Sequence, residues 1–191
     1  MLNQLPEQIH TPRLLIRVAK PGDGLLFNQA IVESCDQLKT WLGWVSPPPT
    51  IEESEFSCRR AYARFLLNED LMVFFFERET GTLIGGSGLH NANWHLRQFE
   101  VGYWCRDGWR GTGLMSEGVR ALSDYALQEL QASRVYLTTD NKNIASWKLA
   151  EKAGFALEGI LRNERLNLQG VLRDTRVYSR ICTHMHALAS N

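Results

Sequence analysis

Arg110-Gly111-Thr112-Gly113-Leu114-Met115-Ser116-Glu117 joins a strand-like run, Phe99 to Cys105, to a helical run reaching about Leu130. Gly111 and Gly113 lack a Cβ, so the chain can turn tightly there and a ligand can approach the backbone. The helix that follows supplies unpaired N–H groups and the positive end of its dipole. Arg110 adds a forked cation. Together these features suit a pyrophosphate cradle, although two glycines before a helix can equally be a plain strand-to-helix turn. Two familiar cradles do not fit. The chain has no G-x-x-x-x-G-K-[ST], and a G-x-G-x-x-G spacing fails because Ser116 stands at its third glycine.

Working outward, Gln98 to Cys105 alternates Glu100, Gly102 and Trp104 on one face with Phe99, Val101, Tyr103 and Cys105 on the other. Met115, Val119, Leu122, Ala126 and Leu130 make an apolar helical stripe. Arg134 to Thr139 is the next strand. Strand, cradle, helix and strand form a βαβ-like unit, so the two strands are expected to run parallel. Upstream, Leu71 to Phe76 and Leu83 to Leu89 pair through a turn at Glu79–Thr82. Gly85, Gly86 and Gly88 mark a bulge or a close approach to the second of these strands. Asn91 to Arg97 is a polar loop. Nearer the N-terminus, Thr11 to Arg17 is a strand, and Leu25, Leu26, Ala30 and Ile31 fit one helical face. Trp41 to Pro49 is a stiff aromatic loop ending in three prolines. Thr50 with Glu53 is a capping box that opens a helix to about Leu67. Downstream, Asn141 to Ser146 leads into a short helix stopped by Gly154. A strand begins at Phe155, Asn167–Gly170 is a hairpin turn, and Asp174 to Ile181 is a closing strand.

The order [RQ]-x-x-G-x-[GA], met by Arg110 and Gly113 with Met115 departing in the last place, resembles the acyl-CoA signature of the GNAT superfamily of N-acetyltransferases. The form Arg-Gly-x-Gly-x-Met-Ser-Glu resembles its ribosomal-protein N-acetyltransferase branch. Asn-x-x-Ser-x-x-x-x-Glu-Lys-x-Gly-Phe, Asn143 to Phe155, and the opening Thr11-Pro12-Arg13-Leu14 resemble the same branch. The resemblance runs from Thr11 to Ile181. It implies an α/β (α+β) fold with a central mixed, mostly antiparallel sheet, helices on both faces and a central strand pair that splays apart. It further implies acetyl-CoA as co-substrate, with its diphosphate on the amides of Arg110, Gly111, Thr112, Gly113, Leu114, Met115 and Ser116. The thioester would lie near Tyr103, Trp104 and Cys105, and Asn143 would bond the pantetheine amides.

Attack of an amine on a thioester needs a base, an oxyanion site and a partner for the leaving thiolate. Glu100, on the strand flanking the cofactor, is the expected base; a plain ion pair with Arg97 is the alternative. Ser146 is the expected partner of the thiolate; N-terminal capping is its alternative. Trp41, Trp44 and His90 are expected at the acceptor substrate, though both indoles could simply pack on the core. His90 and His95 are secondary candidates for the base. Arginine at 165 stands where some members of the branch carry a glutamate, which argues against a base from that segment. His184-Met185-His186 reads as tail. No cluster has metal-ligand spacing, so no metal is expected.

The totals agree with such an enzyme. In 191 residues, 21 basic side chains balance 21 acidic ones, which gives no excess for holding nucleic acid. No apolar run approaches a membrane span, and the start lacks the features of a signal peptide. Cys35, Cys58, Cys105 and Cys182 are scattered and expected to be reduced thiols in a cytoplasmic protein. One domain, 1–191 with a core of about 11–181, is expected. The acceptor would be a protein N-terminal amine. A small amine such as a polyamine, amino acid or aminoglycoside is the alternative, as is a CoA-binding sensor without turnover. A homodimer is compatible with the sequence, which does not specify oligomeric state.

Overall fold

The computed structural model describes residues 5–182. Its elements run β1 (Gln8–His10), β2 (Leu14–Val18), α1 (Gly24–Leu38), α2 (Ile51–Leu66), β3 (Leu71–Glu77), β4 (Leu83–Asn93), β5 (Gln98–Cys105), α3 (Leu114–Gln128), β6 (Arg134–Asp140), α4 (Ile144–Lys152), β7 (Ala156–Leu166) and β8 (Leu172–Ile181), with a 3-10 turn at Gly43–Val45. All eight strands form one sheet in the order β1-β2-β3-β4-β5-β6-β8-β7. Every neighbour pair is antiparallel except β5 and β6. That parallel pair is joined through a helix, α3, as a crossover requires, while the antiparallel neighbours β2 and β3 are joined through α1 and α2.

Two apolar layers cover the sheet. On one face α3 and α4 bury Val73, Phe75, Leu89, Phe99 and Val101 together with Val119, Leu122 and Ala150. On the other, α1 and α2 bury Phe74, Phe76 and Leu83 with Phe27, Ile31 and Cys58. The alternation of Phe74, Phe75 and Phe76 between the layers is the period-two pattern of a strand covered on both sides. A Cβ at Gly118 would sit 2.4 Å from the Phe75 ring, so glycine is what lets α3 lie this close to the sheet.

Local signals in the sequence set several boundaries. The Thr50 hydroxyl accepts from the Glu53 amide at 3.1 Å, and the Glu53 carboxylate accepts from the Thr50 amide at 2.8 Å, closing the capping box of α2. The hairpin turn forms at Asn167–Gly170, where the Asn167 amide donates to the Val171 carbonyl at 2.8 Å. Two expectations need correcting. β4 continues to Asn93, so the first three residues of the expected 91–97 loop are strand. Leu25 is exposed, and Phe27, Ala30, Ile31 and Leu38 make the buried face of α1 instead. The His184–His186 segment lies outside the described residues.

Candidate active site

Strand β5 leads into the glycine turn and α3 leads out of it. Gly111 and Gly113 hold φ of +78° and +82°, the left-handed region that glycine enters without strain. Gly113 is the N-cap of α3. The amides of Gly111, Thr112 and Gly113 make no backbone hydrogen bond among the described residues, and Leu114 reaches only the Thr112 hydroxyl at 3.4 Å. Met115 and Ser116 lie in the first helical turn, whose N–H groups have no partner one turn back. A Cβ at Gly111 would meet nothing within 4 Å, so no side chain packs against that position. The Met115 side chain turns away and packs on the sheet, 2.7 Å from a Cβ position at Gly85.

Cations gather at this turn from distant parts of the chain. Lys152 Nζ lies 3.4 Å, and the Arg13 guanidinium 3.7 Å, from a Cβ position at Gly113. Arg13 is held by Glu117 at 2.6 Å, and the Thr11 hydroxyl donates to the same carboxylate at 2.6 Å. Burial raises the pKa of Glu117, but the bonds from Thr11 and Arg13 outweigh it and the net shift is downward. Arg120 hydrogen-bonds the Lys152 carbonyl. Together Arg13, Gly113, Arg120 and Lys152 line a cavity of about 430 Å³. Arg110 points to Asp107 at 3.5 Å and is largely exposed.

Next to the turn, the sheet opens. β5 and β6 pair only at Gln98–Arg134, Phe99–Val135 and Glu100–Tyr136, and both strands then continue without further backbone pairing to each other. The edge of β5 from Val101 to Cys105 therefore faces a gap. Tyr103 crosses toward it. Its hydroxyl donates to the Ser146 carbonyl at 2.8 Å and lies 3.1 Å from the Ser146 hydroxyl. Burial pushes the Tyr103 phenol up to about 12, against the opposing effect of its bond with Ser146. Burial likewise pushes the Cys105 thiol up to about 11. Asn143, not Ser146, caps α4: its side-chain oxygen accepts from the Ser146 amide at 3.2 Å. The Ser146 side chain is thus spared the capping role.

The opposite face of β5 carries Glu100, Gly102 and Trp104, as the alternation indicated. Three β4 residues pair with them: His90 with Glu100, Gly88 with Gly102, and Gly86 with Trp104. The glycines of β4 are there to be covered. A Cβ at Gly86 would lie 2.5 Å from the Trp104 indole nitrogen, and one at Gly88 2.3 Å from the His90 ring. His90 Nδ1 stands 3.0 and 3.1 Å from the two carboxylate oxygens of Asp70. Glu100 accepts from Asn91 Nδ2 at 2.7 Å and from the Thr138 hydroxyl at 3.4 Å. Arg97 pairs with Gln131 instead. Trp44 stacks at 6.1 Å on Phe27, which stacks at 5.8 Å on Trp104. Trp41 and Trp44 are 40% and 50% exposed, so neither is simply a core residue.

The structure thus brings the glycine turn, Tyr103, Ser146 and Asn143 to one face of the sheet beside the gap, and Glu100, His90 and Trp104 to the other face. Trp41 stays apart from these rings. The sequence reading missed Arg13, Lys152 and Asp70. Arg13 carried a signal through the Thr-Pro-Arg-Leu opening and Lys152 through the Glu-Lys-x-Gly-Phe end of the second motif, whereas Asp70 carried none. Among the described residues no group of acidic, histidine or cysteine side chains could hold a metal, and no helix is long and apolar enough to cross a membrane.

A family model described as an acetyltransferase (GNAT) domain matches residues 13–156. The "Probable N-acetyltransferase YjcK" of Bacillus subtilis strain 168 is 38% identical over 129 residues, covering 67% of this chain and 71% of that protein. The ribosomal-protein-serine acetyltransferase of Escherichia coli K12 is 26% identical over 148 residues, covering 75% and 80%. The fold matches that of RimL, a ribosomal L7/L12 alpha-N-protein acetyltransferase solved with coenzyme A, with a TM-score of 0.84 at 21% identity over 92% of this chain and 98% of that one. The open glycine turn beside a splayed strand pair and the matched family model agree: this chain belongs to the GNAT family of N-acetyltransferases.

Proposed function

We propose that this chain moves the acetyl group of acetyl-CoA to the N-terminal α-amine of a protein, in the cytoplasm, with a ribosomal protein as the substrate class. The observation that carries this reading is the open, cation-flanked turn at Gly111–Ser116 directly beside the unpaired edge of β5. The free amides and Arg13, Arg110 and Lys152 hold the diphosphate. The unpaired edge from Val101 to Cys105 lies along the pantetheine, with N–H groups near Tyr103–Cys105 available to the thioester oxygen. Asn143 Nδ2 bonds the pantetheine amides from the α4 side. The Ser146 hydroxyl, set by Tyr103, donates to the departing sulfur. Glu100 meets the incoming ammonium on the other face, beside His90.

A protein terminus is favoured over a polyamine by the groove near Trp44. It holds about 660 Å³ and is walled by Trp44, Pro47, Pro48, Pro49 and Phe56. Its acidic residues are Glu52 and Glu53, and Glu53 is engaged in the capping box. Arg60, whose guanidinium lies 5.9 Å from the Phe56 ring centroid, adds a positive charge to the same lining. Such a groove suits an extended peptide better than a polycation. The test is release of free CoA with peptides of defined N-terminus and with polyamines, amino acids and aminoglycosides, each product mass checked for one acetyl group. Turnover only with small amines would replace the acceptor. Binding of acetyl-CoA without any turnover would make the chain a sensor.

A further inference from the structure

We propose that His90, aligned by Asp70, is the group that takes the proton from the acceptor amine. This rests on the acetyl-transfer reading above and assigns the base within the Glu100–His90 pair. Asp70 is a buried carboxylate immediately before β3, 7% exposed, and both of its oxygens lie within 3.1 Å of His90 Nδ1. A carboxylate only accepts, so Nδ1 carries a proton, and in the neutral ring the lone pair is then on Nε2. Arg64 on α2 stands 3.4 Å from the other side of Asp70, with Glu69 3.8 Å from Arg64.

The ring is also held in place. Its edge lies against Gly88, where a Cβ would be 2.4 Å from Nε2, and against Gly102, where the nearest ring carbon is 3.6 Å from a Cβ position. Gly102 precedes Tyr103 on the unpaired stretch of β5. Two facing glycines thus form a shelf that brings Nε2 to the strand flanking the thioester site, while the ring remains about one-third exposed to an incoming substrate. The charged groups facing His90 are Asp70 and Arg64 from the α2–β3 side and Glu100 from β5. Glu100, held by Asn91 and Thr138, binds the ammonium; His90 deprotonates it.

Nε2 takes one proton from the ammonium. The freed nitrogen pair forms the C–N bond, the C–S bond breaks as the tetrahedral intermediate collapses, and the nitrogen gives up its second proton to water; one of the two protons ends on the departing thiolate, and the other is released to solvent from the imidazolium.

His90 is a catalytic residue here and Asp70 a positioning residue, and they need different readouts. With the full chain, acetyl-CoA and a peptide bearing a free N-terminal amine, His90→Ala and His90→Gln are expected to lower kcat by about 100-fold or more, in the range for loss of a general base. Acetyl-CoA affinity should stay within about twofold, and added imidazole should restore part of the His90→Ala rate by occupying the vacated shelf. Asp70→Asn is expected to cost about tenfold in the wild type and nothing further in His90→Ala, since the pair acts as a unit. Glu100→Gln should act mainly by raising KM for the peptide. Full activity of His90→Gln, or collapse of kcat in Glu100→Gln alone, would overturn the assignment and leave the enzyme reading standing. No turnover by the wild type on any amine would overturn both.

Discussion

The Tyr103 hydroxyl lies 2.8 Å from the Ser146 carbonyl oxygen and 3.1 Å from the Ser146 hydroxyl, tying β5 to the first turn of α4 across the opening in the sheet. Because Tyr103 gives its proton to the carbonyl, the Ser146 hydroxyl proton can serve either the phenol oxygen or a ligand. Ser146→Ala is expected to lower kcat about tenfold, the size of one net hydrogen bond, with little change in acetyl-CoA affinity. Stopped-flow turnover beside calorimetric binding checks this. Loss of binding with kcat intact would assign Ser146 to holding the cofactor.

The same contact has a pH signature. Burial raises the Tyr103 phenol from 10.0 to about 12, so the folded state favours its neutral form. The stability this group contributes is complete below about pH 10 and is lost as the pH rises toward 12. In ultraviolet titration, the difference between wild type and Tyr103→Phe should show no phenolate appearing near pH 10 in the folded protein. A step there would mean the hydroxyl is open to water.

Glu117 gives the opposite sign. Its folded pKa is depressed by Thr11 and Arg13 despite burial, so its contribution is present above the ordinary value of 4.5 and disappears as the pH falls through the lowered one. Glu117→Gln should cost about 1 kcal/mol at neutral pH, discounted because Arg13 is half exposed. Melting curves of the variant should lie closest to the wild type at the acid end. A deficit that stays constant from neutral to acid pH would show that the charge on Glu117 is irrelevant.

Gly118→Ala should destabilise the fold even though alanine is the better helix former. A Cβ would sit 2.4 Å from the Phe75 ring, and overpacking of this kind costs about 1–3 kcal/mol against a propensity gain of about 1. Phe75→Leu in the same chain should recover part of the loss. A rise in melting temperature in the single variant would contradict the close packing of α3 on β3.

Lys152 stands at the cradle without an acidic partner among the described residues. Lys152→Ala is expected to weaken acetyl-CoA binding about tenfold at low salt and less at high salt, as for a partly exposed charge facing a phosphate. Equal loss at every salt concentration would point to a structural effect.

Much of this architecture was legible because its signals are local. The glycine turn, the Thr50–Glu53 box, the Gly154 stop and the alternation of Glu100, Gly102 and Trp104 each depend on residues close in sequence. What the sequence could not show is what the sheet assembles. Asp70 reaches His90 only because β3 and β4 pair in a particular register. Arg13 and Lys152 meet at Gly113 from opposite ends of the chain. The glycines of β4 announced a close approach, but not that His90 and Trp104 would be the covering rings. The extension of β4 to Asn93 escaped notice because polar residues at a strand end resemble a loop, and tertiary pairing with β5 decided the matter.

The most direct measurement is a crystal structure of the chain with coenzyme A, paired with calorimetry on Gly113→Val. The account predicts the diphosphate on the amides of Gly111 to Ser116 beside Lys152, the pantetheine between β5 and β6, and a loss of affinity of at least about 100-fold in the variant, whose side chain would be forced into a left-handed position. A diphosphate bound elsewhere, or unchanged affinity in Gly113→Val, would contradict it.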